Sequence, residues 1–182
     1  SKALGEGLAF AHAREQGLPV VVVRFFNVVG PRQTGRYGMV VPTFVRQAVS
    51  GRPITVYGDG KQSRCFTHVK ASARALAALI QTERAVGGVF NVGSTQEVSI
   101  FALAERVKAL AGSSSPIKLI PYDEAYEEGF EDMPRRVPDI SKIHGLFGFR
   151  PTPNLDEIIQ SVVARLRPAA DGTLTLQIDQ VE

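Results

Sequence analysis

Residues 20–26, Val-Val-Val-Val-Arg-Phe-Phe, form an apolar run of strand length, and this run narrows the possible folds more than any other stretch. A strand wetted on one face alternates apolar and polar side chains. A run without alternation predicts a strand in a parallel sheet, covered on both faces. Helical patterns flank it. Residues 1–16 are rich in small side chains (Ala3, Gly5, Gly7, Ala9, Ala11, Ala13) and stop near Gly17 and Pro19, which predicts a helix pressed closely against a sheet or another helix. A glycine-rich loop spans 30–38. Val41, Phe44, Val45, Ala48 and Val49 then recur at helical spacing, with Pro42 near the start.

The alternation continues to the far end. Residues 54–57 read as a short strand stopped by Gly58-Asp59-Gly60, and 64–69 as another extended piece. The next helix carries Val69, Ala73, Leu76, Ala77 and Ile80 on one face. A strand over 89–92 is closed by Gly93. Ile100, Leu103, Ala104, Val107, Leu110 and Ala111 make an amphipathic helix, followed by a strand over 117–120 and an acidic loop over 123–132. Asp139 is placed to cap a helix over 141–147, and Asn154 with Glu157 forms a capping-box pattern opening a last helix. In the tail from Pro168, Leu174, Leu176 and Ile178 alternate with polar residues. Strands alternating with helices predict an α/β fold.

Composition excludes several classes. With 44% apolar and 21% charged residues among 182, the chain has the make-up of a soluble globular protein. A net charge of +3, with scattered basic residues, does not predict a nucleic-acid partner. The single cysteine, Cys65, rules out an internal disulfide framework and fits a reducing compartment. His12, His68 and His144 lack ligand spacing, so no metal is expected. There is no apolar run of spanning length and no leader pattern, so a cytoplasmic location without membrane contact is expected. No Gly-x-x-Gly-x-x-Gly turn follows a strand.

Four places invite a chemical reading, each with a plainer alternative. Lys2, near a helix start, is by type a solvated surface charge. Asn27 ends the apolar strand, where open α/β sheets bind ligands, or it is a turn residue before Gly30-Pro31. Residues 54–60 and 62–69 hold a strand, a glycine turn and a second strand bearing Arg64. Residues 135–142, Arg-Arg-Val-Pro-Asp-Ile-Ser-Lys, make either a surface ion-pair loop or a ligand-facing one.

Together, Ser-Lys-Ala-Leu-Gly-Glu at 1–6, Arg-Phe-Phe-Asn at 24–27, the 54–69 stretch and Arg136 to Lys142 resemble the extended short-chain dehydrogenase/reductases, the NAD-dependent nucleotide-sugar epimerase/dehydratase family. The motif style is that of UDP-glucose 4-epimerases and UDP-glucuronate decarboxylases. The resemblance implies the C-terminal part of a Rossmann-type parallel sheet plus the small α/β substrate lobe, over 1–167, with 168–182 a tail. It implies catalytic and cofactor roles for Lys2, holding the nicotinamide ribose and lowering the pKa of a tyrosine that would precede Ser1. Phe25 and Val28 would line the nicotinamide side. Asn27, Arg64 and Arg136 would hold the diphosphate of a UDP- or dTDP-sugar, Thr55 and Tyr57 would flank its pyrimidine, and Val40 and Val41 would contact substrate.

NAD is the family's cofactor, and the chain alone is expected neither to bind it nor to turn over substrate. A homo-oligomer is expected, with the first helix and the tail near the interface. The alternative is a non-catalytic nucleotide-sugar binder or assembly module. One departure from the family pattern is Ala71, where an aspartate is usual; with Lys70 beside it, a weakened helix start is expected.

Overall fold

The computed structural model describes residues 2–33, 39–125 and 133–167. Parts of the glycine-rich and acidic loops, and the tail, lie outside them. The order is α1 (Lys2–Gln16), β1 (Val22–Phe25), β2 (Val28–Val29), α2 (Val40–Val49), β3 (Ile54–Tyr57), β4 (Ser63–Cys65), β5 (Thr67–His68), α3 (Val69–Ile80), β6 (Val89–Val92), β7 (Glu97–Ser99), α4 (Ile100–Leu110), β8 (Ile117–Ile120), α5 (Tyr122–Ala125), β9 (Arg135–Arg136), α6 (Ser141–Phe147) and α7 (Leu155–Leu166). The α/β class is as expected. The chain divides into two compact units, the first holding described residues 2–29, 62–99 and 133–155, the second the remainder.

In the first unit β1 runs parallel to β6, from Val22 opposite Val89 to Phe25 opposite Val92. Strands β2 and β5 make a second parallel pair. Strand β4 pairs antiparallel with β7 and parallel with β9. Its core is Ala75, Leu79, Ala85, Phe90, Val92, Ile143 and Phe149, with Val21 and Val23 packed on it. Burying each large side chain there stabilises the unit by roughly 1.5–3 kcal/mol relative to leaving it in water.

Three expectations are corrected in this unit. Strand β1 is not covered on both faces: Val22 and Val23 are half-buried while Arg24 and Phe25 are exposed. Among the described residues β6 is its hydrogen-bonded neighbour, on one edge, and Arg24 turns out to an acidic partner on α1. Helix α1 fully buries none of its residues: Ala9 and Ala13 are half-buried, whereas Ala3, Gly5, Gly7 and Ala11 are exposed, with no described atom within 4 Å of a Cβ built on Gly5 or Gly7. Helix α3 packs with the opposite face. Ala71, Ser72, Ala75 and Leu79 are buried, whereas Val69, Leu76 and Ile80 (82% exposed) point outward. Both faces of α3 are apolar, so periodicity does not choose between them; the alanine face permits the closer approach.

In the second unit β3 runs parallel to β8, Ile54 opposite Ile117 and Tyr57 opposite Ile120. Helices α2 and α4 bury Val41, Phe44, Val45, Ala48, Leu103, Ala104 and Val107, as their spacing predicts. The Gly58–Gly60 turn is tight because a side chain at Gly60 (φ +70°) would meet Phe101 Cβ at 2.8 Å. An Arg106–Asp156 ion pair joins α4 to α7; both side chains are about two-fifths exposed, so its contribution is small.

The start of α3 is capped after all. His68, in extended conformation, accepts the Lys70 N–H at 3.0 Å through Nδ1, taking the place of the usual short polar cap. Burial first, then Lys70 and Arg74, push the His68 pKa below its ordinary value of 6.5. The fold therefore favours neutral imidazole. Its contribution is complete above about pH 6.5 and is lost as the pH falls through that value toward the lowered one, because the unfolded chain takes up the proton first. His68→Ala is expected to lower stability by about 1 kcal/mol in denaturant unfolding, and His68→Asn by less. The advantage of wild type over His68→Asn should shrink on acidification below about pH 6.5.

Candidate functional site

The ends of the parallel strands in the first unit are held by one residue in an unusual conformation. Asn27 has φ +39°, a left-handed value that asparagine tolerates better than most side chains. This turn carries the chain out of β1, paired with β6, and into β2, paired with β5. Asn27 Nδ2 donates to Cys65 O at 2.8 Å, and Asn27 O accepts from Thr67 N at 3.1 Å, bracketing Phe66. Thr67 Oγ1 donates to Phe26 O at 3.2 Å and accepts from Ser94 N at 2.8 Å, which joins the end of β6 to the same network. Thr67 is buried; its role was missed because a lone threonine in an apolar strand carries no distinctive spacing.

Beside this network stand the two arginines. Arg64 and Arg136 are register partners on the parallel strands β4 and β9. Paired residues on neighbouring strands share a face, with backbones about 4.8 Å apart. Like charges so placed repel, which makes the face a natural seat for a dianion. Arg64 Nη1 donates to Ser63 O at 2.7 Å, and the Arg136 guanidinium lies over the Phe26 ring, 5.4 Å from its centre. Gly93 packs under that ring: a side chain there would meet Phe26 Cβ at 2.9 Å and Pro138 Cγ at 2.8 Å. Asp139 accepts the Ser141 N–H at 2.8 Å, but the cap position of α6 itself is Ile140, one residue later than expected; the Asp139 carbonyl accepts from Asn91 Nδ2 at 2.9 Å.

The other face of the β4–β9 pair has the opposite electrostatics. Glu97 on β7 accepts hydrogen bonds from Ser63 Oγ and from Arg135 Nε and Nη2, the last at 3.0 Å. The Ser63 hydroxyl first, then Arg135, hold the Glu97 carboxyl below the ordinary carboxylate range. Neither Glu97 nor Ser63 was singled out from sequence, since the pattern does not reveal which acid meets which arginine. Cys65, fully buried, has its thiol pushed up by burial and then by Glu97, so it stays protonated and unreactive.

Lys2 is exposed in the first turn of α1, one helical turn before Glu6 and on the same side. Glu6 in turn takes a two-pronged contact from Arg24, Nε to Oε1 at 2.8 Å and Nη2 to Oε2 at 2.6 Å. Lys2 is thereby set on the side of α1 tied to the end of β1, where Phe25 is 41% exposed and Val28 half-buried.

Thr55, Tyr57, Val40 and Val41 belong to the second unit and form a separate group. Thr55 and Tyr57 share the outer face of β3, since Ile54 and Val56 are buried. Gln47 ties Thr55 to α2, its Nε2 donating to Thr55 Oγ1 at 2.8 Å and its Oε1 accepting from Thr55 N at 3.1 Å. The Tyr122 ring packs over Gly58, next to Tyr57. Val41 is buried in the core of the unit, while Val40 is half-buried.

Residues 1–93 match the NAD dependent epimerase/dehydratase family. The chain is 40% identical over 167 residues to a UDP-N-acetyl-alpha-D-glucosaminuronate decarboxylase of Bacillus cytotoxicus, covering 91% of this chain and 51% of that protein. It is 35% identical to UDP-glucuronic acid decarboxylase 1 of Xenopus tropicalis, covering 91% and 38%. The chain thus spans about half the length, or less, of these curated relatives. Among solved structures, an epimerase of Methanothermobacter thermautotrophicus superposes with a TM-score of 0.82 at 26% identity, covering 91% of this chain and 48% of that one. A UDP-glucuronic acid 4-epimerase from Bacillus cereus, in complex with UDP-glucuronic acid and NAD, superposes with a TM-score of 0.78 at 25% identity, covering 88% and 49%.

The conformation of Asn27 sets an order for substitutions. Asn27→Gly keeps the left-handed turn and loses one hydrogen bond, at about 1 kcal/mol. Asn27→Val loses the bond and adds backbone strain of roughly 1–3 kcal/mol. Denaturant unfolding should rank wild type, then Asn27→Gly, then Asn27→Val; equal stability of the two variants would show that the turn is not held in this conformation.

Proposed function

The chain belongs to the NAD dependent epimerase/dehydratase family, and from that premise we propose that it supplies the nucleotide-sugar site of an enzyme acting on a UDP-linked sugar. The observation that carries this is the Arg64–Arg136 pair: two guanidiniums on one face, in register, beside the Asn27 network. A planar fork meets paired phosphate oxygens with two hydrogen bonds, and two forks suit a diphosphate. Asn27 keeps one amide hydrogen beyond the one given to Cys65 O. Thr55 and Tyr57 are assigned to the pyrimidine, with Val40 and Val41 contacting substrate from the start of α2.

The chemistry that bound NAD would supply is reversible hydride transfer with the sugar ring. Of the groups that would hold it, this chain offers Lys2 for the nicotinamide ribose and the Phe25 and Val28 side for the ring. The strand end fits that half of the cofactor, since Phe25 is a large exposed apolar surface there. The 182 residues contain no Gly-x-x-Gly-x-x-Gly turn for its pyrophosphate. We assign to this chain by itself the binding and orienting of the nucleotide sugar, without turnover of its own. Self-association belongs to the same proposal, supported by the large apolar side chains that α1 exposes, Leu4 at 69% and Leu8 at 55%.

UDP is expected to bind weakly, with a Kd on the order of 0.1–1 mM. Arg64→Ala and Arg136→Ala should each weaken it by about tenfold or more in an NMR titration, each charge-assisted contact being worth roughly 1.5–3 kcal/mol. Binding that neither substitution changes would refute the site, and turnover of a UDP-sugar by this chain with NAD would refute the restriction to binding.

A further inference from the structure

Resting on that assignment of Arg64 and Arg136 to a diphosphate, we propose that Glu97 is the positioning residue of the anion site, clamping strand β9 so that Arg136 is held in register beside Arg64. Strand β9 has two residues, and parallel pairing gives so short a strand few backbone hydrogen bonds. The described backbone bond beside it is Ser63 N to Pro134 O at 2.8 Å. Against this stands the mutual repulsion of Arg64 and Arg136, which pushes β9 away from β4. A short edge strand carrying a repelled cation needs a tether.

Glu97 supplies one from the third strand. Its carboxylate takes the Ser63 hydroxyl of β4 and three contacts from Arg135 of β9, Nε at 3.1 and 3.2 Å and Nη2 at 3.0 Å. One side chain on β7 thus grips both other strands of the sheet. Ser63 and Arg135 are themselves register partners, and side chains alternate along a strand. The clamp therefore occupies the face opposite Arg64 and Arg136, and Glu97 acts on them through the backbone. The Ser63 hydroxyl first, and then Arg135, lower the carboxyl's pKa from its ordinary value and so favour its ionised form.

This arrangement makes a prediction of unusual sign. Glu97→Gln removes a negative charge near two arginines, and by charge alone it should tighten the grip on a diphosphate. A positioning role requires the reverse: Glu97→Gln and Glu97→Ala should each weaken UDP binding by roughly tenfold, the loss expected when one charge-assisted arginine contact is misplaced. In an Arg136→Ala background neither change should cost anything further. Independently of ligand, hydrogen exchange over 133–138 should quicken in both variants while the amides of β6 keep their protection.

Unchanged exchange over 133–138 would overturn the clamp. Quickened exchange with unchanged or tighter UDP binding would overturn its role in positioning the arginines. A wild-type chain that binds no UDP would instead remove the diphosphate assignment itself, while the exchange result still decides whether Glu97 holds β9.

Discussion

The left-handed turn at Asn27 is the constraint on which the rest of the first unit depends. A chain leaving β1 in extended conformation would continue along β6. The turn sends it to β5, and the side-chain amide and backbone carbonyl of Asn27 then hold the segment from Cys65 to Thr67. That segment joins β4, which bears Arg64, to β5, whose His68 caps α3. Backbone geometry at one residue therefore sets the face that bears Arg64 and the start of a core helix together. The strain of a positive φ is offset by two hydrogen bonds in a half-buried place, where leaving the same groups unpaired would be costly.

Charge organises the small sheet around β4 in two layers. On one face Glu97 neutralises Arg135 and orders Ser63; on the other Arg64 and Arg136 stand together. Period-2 alternation separates the faces, so adjacent arginines in the sequence have opposite tasks. Arg136 gains from the quadrupole of the Phe26 ring, a soft contact that does not use its hydrogen-bonding edge. The ion pairs at α1–β1 and α4–α7 are simple pairs; like the equally exposed Arg135–Glu97 contact, they orient elements and add little stability by themselves.

Much of the architecture was legible because periodicity reports burial directly. Helices α2, α4 and α7 and strands β3, β6 and β8 fall where apolar spacing places them. The failures have physical causes. Helix α3 is apolar on two sides, and the side that packs is the one whose alanines admit a close neighbour. Strands β7 and β9 are too short to show a period and exist because β4 offers them backbone partners. The cap of α3 is His68, a residue rarely considered for that place.

By itself the sequence determined the α/β class, the family, and the kinds of side chain available for a nucleotide sugar, since these follow from local pattern and short motifs. Tertiary structure alone decided that Arg64 is paired with Arg136 and Arg135 with Glu97, that Asn27 spends one amide hydrogen on Cys65, and which face of α3 meets the core. Each of these depends on strand register between segments far apart in the chain. A shift of one residue in that register would reverse every side chain's face, and no local pattern in two- and three-residue strands records it.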